Sequence, residues 1–109
     1  MTTDNNELIL QFGEAIGGAV QPFIPAFKRL ILDELIAIKA AMNEKNTDAA
    51  MAILHNRMTL EELAEEKLAL VAVTNAMADS NAAKRQAAQD VLMAILKAAL
   101  SVALGMVAL

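Results

Sequence analysis

Apolar residues recur at three- and four-residue spacing along this 109-residue chain, a pattern that predicts helices nearly end to end. Leu8, Ile9, Phe12 and Ile16 mark a first helix within residues 1–20, opened by Asp4 with Glu7 three residues later. Gln21-Pro22-Phe23-Ile24-Pro25 reads as a break, because each proline lacks an N–H and restricts the residue before it. Pro25 then suits the first position of an amphipathic helix over 25–43. Its stripe is Phe27, Ile31, Leu35, Ile38 and Met42, widened by Leu30 and Ile36, with Leu32 off it. Lys28, Arg29, Asp33 and Lys39 take the other side, where Arg29 and Asp33 are spaced as a weak surface pair.

Residues 43–48 form a polar turn, and central helices fill 47–79. A short one, started by Thr47 or Asp48, covers Ala49 to Arg57. Thr59-Leu60-Glu61-Glu62 is a full capping box, the most specific local signal in the chain. It opens a helix to Ala78 with Leu63, Leu70 and Met77 at heptad spacing. Between Leu68 and Val73 that helix is apolar all round, which implies contacts on more than one side. Asp79-Ser80-Asn81 is the last turn, and a final helix covers 82–109, about 40 Å if unbroken. No internal repeat is apparent. The expectation is an all-α single domain: a small hairpin or bundle of four to five helices with a long apolar C-terminal helix.

That last helix raises the functional question. VLMAILKAALSVALGMVAL, Val91 to Leu109, carries Lys97 as its sole charge. As a helix it spans about 28 Å against a hydrocarbon core of about 30 Å. Insertion into a bilayer sums to roughly +1 to −3 kcal/mol, with Lys97 as the main cost. Small residues along it, Ala99 and Ala103 among them, suit close packing in lipid or in protein. A lone globule of this size hides one face of such a helix but hardly all of it. Leu92, Ile95, Leu96, Leu100, Leu104 and Val107 are therefore expected at contacts with lipid, other copies or another chain. Gly13 and Gly17, one turn apart, suit a notch that another backbone enters.

Composition narrows the rest. The apolar fraction is 57% and alanine-rich, which reports helix and close packing as much as greasiness. A net charge of −4 argues against nucleic-acid binding, which needs clustered Lys and Arg. With no cysteine there is neither a disulfide framework nor a thiolate metal site. Met1 precedes polar and acidic residues rather than a basic leader, so no secretory signal is read.

His55 is the sole histidine, without a nucleophile at recognisable spacing. Glu61, Glu62, Glu65 and Glu66 lack the Glu-x-x-His pairing of bundled di-metal sites and read as a solvated first turn. Phosphate-loop, dinucleotide-fold and zinc patterns are missing. No catalytic residue, cofactor or metal is expected. The chain reads as a non-enzymatic structural subunit that forms a homo-oligomer or packs with other protein subunits, in an intracellular assembly or a virus or phage particle. The alternative is a small membrane-active protein with a C-terminal span, similar in size and composition to phage lysis proteins.

Overall fold

The computed structural model describes residues 18–105, and among them the chain is all-helical, with six helices rather than four to five. Helix α1 occupies 18–29, α2 Leu32–Asn43, α3 Thr47–His55, α4 Leu60–Ala69, α5 Val71–Met77 and α6 Ala82–Leu104. The expected N-terminal start at Asp4 lies outside the described residues.

The first surprise is proline. Helix α1 runs through Pro22 and Pro25, and the break falls instead at Leu30 and Ile31. Ala19, Val20, Phe23, Ala26 and Phe27 are buried on one helical face, which outweighs the intrinsic cost of the prolines. The carbonyl that Pro25 cannot serve belongs to Gln21, on the exposed side, where water reaches it. Ile31 is extended (φ −81°, ψ 167°) and begins α2 without a capping side chain of its own. Glu34 compensates by accepting the Ile31 N–H at 3.0 Å.

Helix α2 packs on α3 and gives Ile38, Ala41 and Met42 to the core. The turn between them passes through Lys45 at φ 57°, and Asn46 caps α3 by accepting the Ala49 N–H at 3.1 Å. The cap is thus Asn46, not Thr47 or Asp48. Thr47 is the first helical residue and is buried. The Thr59 box forms as expected: its hydroxyl accepts from Glu62 N at 3.1 Å, and the Glu62 carboxylate accepts from Thr59 N at 3.0 Å.

The helix expected over Leu60–Ala78 is two helices, α4 and α5, separated by Leu70 (φ −102°, ψ 13°). Hydrogen bonds from Leu70 N to Glu66 O and from Thr74 N to Leu70 O continue through the bend. Bending buries Leu70 and lets α5 lay Val73 and Ala76 against α6. The apolar girdle at 68–73 is this bend, not a straight helix touched on all sides.

Helix α6 starts at Asn81, whose side chain accepts from Ala83 N and Lys84 N. It stops at Gly105, whose left-handed φ of 65° is what a glycine C-cap supplies. It is therefore about 34 Å long rather than about 40 Å. It is the central pillar: Ala87, Ala88, Val91, Leu92, Met93, Ile95, Leu96 and Ala99 are buried in the chain's own core. Phe23, Phe27, Ile38, Leu54 and Val73 are the other largest fully buried side chains.

Contrary to the first reading, the chain contains a repeat. Arg29 and Arg57 lie 28 residues apart, and the same offset aligns Leu32 with Leu60, Glu34 with Glu62, Leu35 with Leu63, Lys39 with Lys67 and Ala41 with Ala69. Along the sequence it also aligns the helix ranges, α1 with α3 and α2 with α4. The repeat escapes a reading of apolar periodicity because only half of its common residues are apolar, and Leu32, Leu35 and Ala41 do not make a distinctive stripe.

Candidate assembly surface

The two junctions hold each other. Arg29 Nη1 donates to Glu62 Oε1 at 2.6 Å and Nη2 to Oε2 at 3.0 Å. Arg57 Nε donates to Glu34 Oε1 at 2.9 Å and to Oε2 at 3.1 Å. Each arginine of one unit thus grips the capping glutamate of the other, and Arg29 also donates to the Arg57 carbonyl at 2.9 Å. Arg29 ends α1 and pairs with Glu62 across the fold rather than with Asp33, which lies beyond the break on α2. Glu62 lies below the usual carboxylate range chiefly because of the Arg29 hydrogen bonds, and Glu34 because of Arg57. The Arg29 guanidinium is correspondingly raised by Glu62.

This clasp fixes the outward faces of α2 and α4. On α2, Leu32 (69% exposed), Ile36 (58%) and Ala40 form a solvent-facing row at four-residue spacing. The equivalent row on α4 is Leu60 (86%), Ala64 and Leu68 (78%), continued by Val71 (49%) on α5. Single exposed leucines are ordinary, but one apolar row repeated at matching positions of two units is not. The sequence reading placed Leu32 off its stripe and passed over Leu60.

The residues expected at contacts are distributed unevenly. Leu92, Ile95, Leu96 and Ala99 are buried within the chain itself. Leu100 and Ala103 are half-buried, Leu104 is exposed, and beside them Val102 is 59% exposed. Gly13, Gly17 and Val107 lie outside the described residues. Gly18, the first described residue, is exposed, with open space where a Cβ would stand.

The histidine has a partner. His55 Nε2 lies 2.7 Å from Glu66 Oε1, joining α3 to α4. Burial pushes the Glu66 carboxyl up, against the pull of His55. In the other unit, Phe27 and Ile38 stand at those two positions, both fully buried. Of the four glutamates, Glu61 and Glu65 are exposed, while Glu62 and Glu66 are engaged as described. Among the described residues, no group of His, Asp and Glu is placed to hold a metal ion. Comparison of the chain with protein families, curated proteins and solved structures returns no match.

Proposed function

We propose that this chain is a non-enzymatic structural subunit that self-associates or packs into a larger protein assembly. The observation that carries the reading is the duplicated apolar row, Leu32-Ile36-Ala40 on α2 and Leu60-Ala64-Leu68 on α4. Rows on two units of one chain give it more exposed apolar surface than a lone leucine would, surface that association buries. The exposed end of α6, with Leu100, Val102, Ala103 and Leu104, supplies a third apolar patch. Contacts are assigned to these residues, because Leu92, Ile95, Leu96 and Ala99 already serve the core. The small size and apolar composition suit a component of a virus or phage particle.

The membrane alternative draws on one observation. Helix α6 is long and apolar enough to cross a bilayer by length and composition. Crossing would require withdrawing Ile95, Leu96 and Ala99, all fully buried, from the core.

The test is light scattering after size-exclusion chromatography on the unmodified chain, Leu32→Asp and Leu68→Asp. The assembly reading expects an oligomer for the parent and a smaller mass for either variant at unchanged helicity. Recovery of the parent only with detergent from the membrane fraction would favour the span instead.

A further inference from the structure

Lys97, the sole charge in the apolar run, is exposed on α6. It lines a cavity of about 320 Å³ between the C-terminal end of α2 and the middle of α6, together with Met42, Lys45, Gln89, Asp90 and Met93. That volume is at the lower end of the range for small-molecule sites, about 300–1,000 Å³. We propose that this cavity binds a small amphipathic anion, such as a medium-chain carboxylate, with its head between Lys45 and Lys97 and its apolar body on Met42 and Met93.

Four features support that chemistry. The apolar part is built from Met42 and Met93, both in the core, and methionine adapts to irregular apolar shapes. The cationic part comes from two elements, and neither Lys45 nor Lys97 takes part in an ion pair among the described residues. The same holds for Lys28, Lys39, Lys67 and Arg85, and what sets Lys45 and Lys97 apart is that both line one cavity. Of the lining groups only Asp90 is acidic, and its Oδ1 already accepts from Gln86 at 3.0 Å.

Lys45 is also held in place at a conformational cost. Among the described residues it is the one non-glycine with positive φ, at 57°. The Gln89 side chain, itself in the lining, donates to the Lys45 carbonyl at 2.9 Å, and Asn46 N closes the turn on Ala41 O at 2.8 Å. Backbone held in this region by surrounding contacts clusters at ligand clamps. This left-handed residue closes the C-terminal end of α2 and thereby fixes where Lys45 stands beside the cavity.

Calorimetric titration of the full chain with octanoate, octanol and octylammonium tests the proposal. Octanoate is expected to bind saturably and the other two at least about tenfold more weakly, the scale of two partly exposed charge contacts. Replacing both lysines, Lys45→Gln with Lys97→Gln, should remove that preference while helicity is kept. Asp90→Asn should tighten octanoate binding, and the Met42 and Met93 methyl resonances should shift on titration. Absence of saturable octanoate binding overturns the proposal. So does equal binding of the three probes, or an octanoate affinity unchanged in the double variant.

Discussion

Arg29 closes on both carboxylate oxygens of Glu62, at 2.6 and 3.0 Å, across 33 residues of sequence. The same glutamate caps its own helix through Thr59 N, so one side chain sets both where α4 begins and where α1 ends against it. Arg57 and Glu34 repeat the arrangement in the opposite sense. The clasp is partly exposed, so its effect on stability is modest, but it ties together the two units that carry the apolar rows.

Arg29→Met, Glu62→Gln and their combination therefore form a double-mutant cycle with a non-zero coupling. Each single change should lower the melting temperature by a few degrees, about the shift expected from loss of one charged contact in a domain this size. Additive losses in thermal melts would show that the contact does not operate in solution.

The carboxylates also set a pH dependence. Glu34 and Glu62 are depressed in the folded chain, so their contribution is complete above the ordinary carboxylate range and disappears as pH falls through their lowered values. Glu66 has the opposite sign. Its raised pKa stabilises the fold only below the ordinary range, and that contribution is lost as pH rises through the raised value. Chemical denaturation from pH 3 to pH 7 should show stability rising for the parent, and rising more steeply for Glu66→Gln. A parallel curve for that variant would contradict the assignment.

The repeat supplies a design for the His55–Glu66 pair. Introducing the other unit's residues together, His55→Phe with Glu66→Ile, should stabilise the chain by up to about 1 kcal/mol, because a part-buried polar pair is exchanged for apolar packing. His55→Phe alone should destabilise, since it leaves the half-buried Glu66 without its partner. Stabilisation by the single change would argue against the pairing.

Much of the architecture was legible in the sequence, for identifiable reasons. The Thr59–Glu62 box, the Asp79–Asn81 turn and the helical class depend on neighbours in sequence, and each forms. What depends on distant residues was not legible. Pro22 and Pro25 are tolerated because Phe23, Ala26 and Phe27 are buried, and α4 bends at Leu70 because α5 must reach α6. The Arg29–Glu62 and Arg57–Glu34 exchange was detectable in principle, since R-x-x-L-x-E-L occurs at both junctions. The exposed row was hidden because Ile36 reads as part of the core stripe, while Leu32 and Leu60 each stand alone until the fold aligns the two units.

Core and surface roles along α6 separate by mutation. Leu96→Ala should cost about 2–5 kcal/mol, as expected for truncating a fully buried leucine. Val102→Ala, at an exposed site, should change monomer stability by less than about 0.5 kcal/mol. Equal, small effects at both sites in urea melts would mean that α6 is not the core pillar.

The most direct test of self-association is sedimentation equilibrium of the unmodified chain in detergent-free buffer over a wide concentration range. The account predicts a weight-average mass above the 11.6 kDa monomer that rises with concentration and falls toward the monomer in Leu32→Asp with Leu68→Asp. A mass of one monomer at every concentration, with the parent soluble and helical, would contradict self-association through the α2 and α4 rows.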